Sequence, residues 1–202
     1  MHHDYVFLIT HLGADTNPLV GSMNTHPEIS VTMNQLVYAT PPDLLYLRAA
    51  CEQVKPARIY VATILQNHTF RCPSLYYQCK FIYFLDEPNS TISAILETQY
   101  KPETILSYYA FRLQRIAQMA KETTNAMLIT WKDINPECGE KLTEFLHLKK
   151  PLSVFCGAEK EIPEMTTLGE QSHSIFNKYF SKIEAVFAPE HSPQLSEEQQ
   201  PS

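Results

Sequence analysis

Residues 12–17 read Leu-Gly-Ala-Asp-Thr-Asn, a stretch in which Gly13 permits a tight turn. Asp15, Thr16 or Asn17 can cap a helix that carries Pro18 in its first turn. A turn that opens a helix gathers backbone N–H groups, and such groups hold anions, phosphate above all. The cation that would complete this chemistry is not nearby, because no Lys or Arg precedes Arg48. Of the five cysteines (Cys51, Cys72, Cys79, Cys138, Cys156), none sits in a CxxC pair or beside a His at metal-ligand spacing. They read as reduced, partly buried thiols. His2-His3-Asp4 could take up a metal adventitiously, but it reads as a flexible polar terminus. Tyr83, Tyr108 and Tyr109 read as core or rim aromatics rather than a stacking platform.

The elements that must position the turn follow from the apolar pattern. Tyr5 to Thr10 is a continuous β-favouring run, as expected of a parallel strand covered on both faces. Leu19, Val20 and Met23 give the next helix a buried side, and His26-Pro27-Glu28-Ile29 ends it. A helix is expected over 43–54, strands over 58–65 and 80–85, a long amphipathic helix over 104–121 and a strand over 126–131. Helices over 139–148 and 174–187 complete the set. Strands alternating with helices argue for an α/β fold, a parallel sheet with helices on both faces in three layers.

With 202 residues, 44% hydrophobic and 19% charged, the chain is long enough for one core and globular in composition. One domain over 1–187 is expected, followed by a Pro-, Ser-, Glu- and Gln-rich tail over 188–202. Sixteen basic against 22 acidic residues leave a net charge of −6, with no basic stripe to release counterions from nucleic acid. The apolar run at residues 5–10 is too short for a signal segment or a membrane span, so a soluble, intracellular protein is expected. The sequons at Asn67 and Asn89 are then chance matches.

Three segments in order resemble the sulfotransferase family, whose members transfer sulfuryl groups from the nucleotide PAPS. The first is Thr16-Asn17-Pro18-Leu19-Val20 with Asn24-Thr25-His26-Pro27-Glu28-Ile29. The second is Phe81-Ile82-Tyr83-Phe84-Leu85-Asp86-Glu87-Pro88, similar to a strand leading to an Arg-Asp-Pro turn, with Ser93 near the family's serine position. The third comprises Tyr109, Arg112 and Leu113, then Met127 to Ile134, then Leu142 to Leu148, where the family reads Phe-Leu-Gly-Leu at the end of a helix. The resemblance spans roughly residues 5–150 and implies a P-loop-like sulfotransferase fold.

It also implies a nucleotide site whose residues are altered. Where the family loop resembles Pro-(Lys/Arg)-Ser-Gly-Thr-(Thr/Asn), this chain places Gly13 at the basic position and Asp15 at the glycine position. The arginine of Arg-Asp-Pro corresponds to Asp86, and the late Arg-Lys-Gly segment has no counterpart. A carboxylate near a phosphate repels it by roughly 1–4 kcal/mol at surface-like dielectric, where a cation would attract it. The degenerate cofactor site implied by the resemblance is Gly13, Thr16, Asn17 and Ser93. His68 follows a strand where several family members carry a catalytic base, and is the one general-base candidate.

Besides a binding protein for some other nucleotide or small ligand on the same scaffold, two readings remain open. In one, the chain binds no cofactor and is a non-catalytic structural or interaction subunit of a larger assembly. Its tail would order against a protein partner, for example in a virion. In the other, it is an active, divergent enzyme that binds PAPS with cations drawn from elsewhere, such as Arg58, Arg71 or Arg112. Neither reading involves nucleic acid or membrane insertion.

Overall fold

The computed structural model describes residues 4–32, 57–64, 79–97, 101–155 and 166–188. The expected helix over 43–54, His68, Arg71, the N-terminal histidines, three of the cysteines and the tail beyond 188 lie outside these residues.

Strand β1 (Asp4–Ile9) is the centre of a five-stranded parallel sheet with β2 (Ile29–Thr32), β3 (Ile59–Ile64), β4 (Lys80–Leu85) and β5 (Ala126–Thr130), in the order β2-β3-β1-β4-β5. Phe7 pairs with Ala62 on one side and Phe81 on the other. Successive side chains of a strand face opposite ways, and both faces of β1 are buried. Phe7 and Ile9 join Tyr60, Phe81 and Tyr83 in one core, while Val6 and Leu8 join Ile59, Val61, Ile82 and Phe84 in the other. A continuous apolar run is what such a two-faced strand requires.

Five helices cover the sheet among the described residues: α1 (Asn17–Thr25), α2 (Pro88–Leu96), α3 (Pro102–Glu122), α4 (Pro136–Phe145) and α5 (Thr167–Phe187). The first four each carry Pro in the first turn, where its fixed φ suits the helix and its missing N–H costs nothing. α2, α3 and α5 supply the core on the Phe7 face, and α1 and α4 supply the core on the Val6 face. The result is the expected three-layer α/β architecture.

Several boundaries differ from the sequence reading. β2 was not expected, because Ile-Ser-Val-Thr is short and half polar. α2 was not expected either, because Pro-Asn-Ser-Thr is a poor helix former and its first turn is buried on polar residues. α5 begins seven residues before the expected Ser174. The Thr166 hydroxyl accepts the Gly169 N–H at 3.1 Å, a cap that outweighs the low propensity of the Gly and Ser residues that follow. α4 begins three residues early, where the Asn135 side chain accepts the Cys138 N–H at 3.0 Å. Trp131 leaves β5 and opens a short 3₁₀ turn.

The end of α4 shows how a family-like segment is kept with a changed residue. His147 N donates to Glu144 O at 3.0 Å and Leu148 N to Thr143 O at 2.9 Å, the paired bonds of a Schellman cap. The left-handed position of that cap normally belongs to glycine, and His147 occupies it with φ 52°.

Candidate functional site

The order of the strands sets where a ligand would sit. From β1 the chain crosses to one side of the sheet for β2 and β3 and then to the other for β4. The loops leaving β1 and β4 therefore part at the carboxyl edge, the usual ligand crevice of such sheets. Residues 10–16 and the Asp86-Glu87 turn face each other there.

Gly13 makes the turn with φ 80° and lies tight on α2. A Cβ at this position would come within 2.6 Å of Thr91 O and 2.7 Å of Ile95 Cγ1. The position aligned with the family's cation thus has no room for a side chain. Thr16 is the N-cap residue of α1 by backbone geometry, but its hydroxyl makes no capping bond. The cap-like contact comes from Asp15, whose Oδ1 accepts the Asn17 N–H at 3.1 Å. Asn17 itself is exposed.

Three amides of the loop are turned to acceptors within the protein. Leu12 N donates to the Tyr108 hydroxyl oxygen at 3.0 Å, Ala14 N to His11 O at 3.2 Å, and Asp15 N to Asp86 Oδ2 at 2.8 Å. Asp86 Oδ1 accepts the Glu87 N–H at 2.7 Å, so its two carboxylate oxygens bridge the β1 loop to the start of α2. The sequence offered Asp15 as a helix cap, the role its Oδ1 takes toward the Asn17 N–H; the structure adds that its own N–H is taken by the carboxylate of Asp86, which is 2% exposed.

His11 holds the Asp86 turn from beneath. Its Nε2 accepts the Asp86 N–H at 3.2 Å, and its Nδ1 lies 3.3 Å from Leu12 O. These partners imply a neutral ring protonated on Nδ1. The ring meets Tyr109 edge-on at 5.4 Å. Burial, with the negative charges of Glu87 and Asp86 adding to it, raises the Tyr109 hydroxyl well above its ordinary value and keeps it neutral. Glu87, 3% exposed, caps α2 by accepting the Ser90 N–H at 2.6 Å through Oε2. Its Oε1 lies 2.9 Å from His173 Nε2 on α5.

Of the cations named from sequence, Arg58 and Arg112 are among the described residues, and both are engaged within the protein. Arg58 lies at the opposite, amino edge of the sheet, where it binds Glu28 Oε2 at 2.8 Å, Asp4 Oδ2 at 3.4 Å and His147 O at 2.8 Å. Arg112 is 0% exposed and donates its Nε to Thr10 O at 2.7 Å. Burial lowers it to about 10, an effect that Tyr108 and Tyr83 partly oppose.

Ser93 lies in the second turn of α2, half-buried. The structure therefore brings the loop of Gly13 and Thr16 against α2, while Asn17 faces solvent. His11, Tyr108, Glu87 and His173 were not marked by the sequence as parts of this crevice. The paired carboxylates directly after a buried strand were the one available signal. The buried Asn89 sequon is inaccessible, 1% exposed, in keeping with a chance match.

A second cleft, of about 190 Å³, opens beyond the carboxyl end of β5. It is lined by Thr130, Trp131, Lys132, His173, Phe176, Asn177 and Phe180. Trp131 meets Phe176 edge-on at 5.4 Å, and Phe176 stacks on Phe180 at 5.0 Å. No three His, Cys, Asp or Glu side chains among the described residues gather as a metal site.

No family model matches the chain, and no curated protein matches it. Solved structures do. A sulfotransferase from Alicyclobacillus acidocaldarius superposes with a TM-score of 0.60 at 13% identity, over 92% of this chain and 96% of that one. A mouse sulfotransferase complexed with PAP gives 0.49 at 16% identity, over 74% and 60% of the two chains. An Arabidopsis thaliana putative steroid sulphotransferase gives 0.44 at 14% identity, over 93% and 78%. The match to the bacterial structure over nearly the whole of both chains shows a sulfotransferase-like fold, as the sequence segments suggested.

Proposed function

We propose that this chain keeps a sulfotransferase-like fold without PAPS chemistry, and that it serves as a non-catalytic structural or interaction subunit of a larger assembly. The observation that carries this reading is the inward commitment of three of the loop amides. Leu12, Ala14 and Asp15 spend their N–H groups on the protein. A phosphate site needs those donors aimed outward and a cation beside them. Here a buried carboxylate stands at the same crevice, and a phosphate brought against it meets repulsion of roughly 1–4 kcal/mol.

A protein that has given up its small ligand acts through its surface. Phe111 and Phe155 each expose more than half of their surface, 51% and 55%, and offer apolar points for a protein partner. No helix among the described residues is long and apolar enough to cross a membrane.

One observation favours the other reading, an active enzyme using PAPS. Arg112 lies under the end of β1, beside the crevice. Its Nε is held by Thr10 O and its side chain is enclosed, so reaching a nucleotide would require the end of β1 to open.

Calorimetric titration with adenosine 3′,5′-bisphosphate, the desulfated product of PAPS, separates the two. The expected result is no saturable heat. Saturable micromolar binding refutes the non-catalytic reading.

A further inference from the structure

We infer that Asp86 is a built-in counter-anion. Its side chain fills, from within the chain, the place that the β1 turn and the start of α2 would offer to an external anion. The inference deepens the reading that this crevice takes no nucleotide and names the group that closes it.

The geometry is that of an occupied anion site. One carboxylate oxygen accepts the Asp15 N–H at 2.8 Å, and the other accepts the Glu87 N–H at 2.7 Å. Those two donors come from the two loops that part at the strand-order reversal, 71 positions apart along the chain for the first bond. Bonds from N–H groups to a carboxylate are charge-assisted and stronger than neutral ones. They also consume both donors, since each N–H serves one strong acceptor.

The carboxylate is itself held in place. Its backbone N–H rests on His11 Nε2, and the next residue, Glu87, is held by the Ser90 N–H and lies beside His173 of α5. Gly13 packs against Thr91 O and Ile95, so the turn cannot settle closer to α2 if the side chain is shortened. Removal of the carboxylate therefore leaves two N–H donors facing the space it filled. That arrangement binds small oxyanions.

The test uses Asp86→Ser and inorganic phosphate, read on the backbone amide resonances of Asp15 and Glu87. In Asp86→Ser both resonances are expected to shift saturably with phosphate; in the wild type neither should move. A folded Asp86→Ser protein whose two amides ignore phosphate overturns the inference. If Asp86→Ser does not fold, hydrogen exchange in Asp86→Asn decides. The Asp15 amide should then exchange roughly ten- to hundredfold faster than in the wild type, as expected for loss of a bond to a charged acceptor. Equal exchange in the two proteins overturns the inference.

The outcomes also separate this inference from the functional reading. Wild-type binding of adenosine 3′,5′-bisphosphate that leaves the Asp15 and Glu87 amides unmoved sinks the non-catalytic reading alone. A wild-type Asp15 amide that exchanges as freely as an unpaired one sinks the counter-anion alone.

Discussion

Replacing Gly13 by alanine tests whether the β1 turn is held by backbone geometry and packing, as the structure states. At φ 80° an L-residue carries a penalty of about 1–2 kcal/mol that glycine escapes. The added methyl would stand 2.6 Å from Thr91 O and 2.7 Å from Ile95 Cγ1. The isoleucine can yield, but the carbonyl belongs to the backbone of α2, so overpacking adds about 1–3 kcal/mol. Together these predict a loss of roughly 2–5 kcal/mol, a large part of the usual stability of about 5–15 kcal/mol. For a chain of this size the melting temperature should fall by about 4–20 °C. Gly21 supplies the internal control. It lies inside α1, and a Cβ there meets nothing within 4 Å, so Gly21→Ala should stabilise by roughly 0.5–1 kcal/mol. Urea unfolding of the three proteins gives both signs in one experiment. The reasoning fails if Gly13→Ala lies within about 0.5 kcal/mol of the wild type, the range of an ordinary surface change. The same geometry means that a lysine or arginine placed at Gly13 cannot rebuild the family's cation without displacing α2.

Two further predictions concern the amino edge and the α4 cap. Burial alone would raise the Glu28 carboxyl, but the Lys149 N–H and the Arg58 guanidinium outweigh it and hold it below 4.5. A carboxyl lowered in the folded state adds stability above its unfolded value and loses it as the pH falls through the folded one. The stability difference between the wild type and Glu28→Gln, about 1 kcal/mol at neutral pH, should therefore vanish in acid below 4.5; a difference constant with pH in urea titrations contradicts the assignment. His147→Gly relieves the left-handed strain at the α4 cap and should stabilise by up to about 1 kcal/mol, and a destabilised variant in thermal melts would show that the histidine side chain matters more than its backbone.

The parts of the fold legible in the sequence are those fixed by local chemistry. Tyr5 to Ile9 and Phe81 to Leu85 announce two-faced strands, because nothing but burial on both sides tolerates such runs. The Pro residues at 18 and 102 mark helix starts for the same local reason. β2 and the first turn of α2 were illegible because their stability comes from neighbours: Asn89, Ser90 and Thr91 are buried in a helix their own propensities oppose. At the site, the resemblance set Gly13, Asp15 and Asp86 where the family carries other residues. It could not show that Asp86 reaches the Asp15 N–H, since that contact exists only once β1 and β4 are side by side. Tyr108 and His173 were hidden for the same reason, as each acts on the crevice from a helix far along the chain.

The central place of β1 also bears on how the protein is made. Val6 pairs with Val61 on one side and with Lys80 on the other. At synthesis rates of about 5–20 residues per second, β1 waits roughly 4–15 s between its own emergence and that of its last partner. Until β3 emerges this two-faced apolar strand has both edges unpaired, and one edge stays so until β4 follows; parallel pairing over such separations is slow to nucleate. A ribosome-bound holdase that covers Tyr5 to Ile9 would therefore be expected to raise the yield of folded chain more than one acting after release.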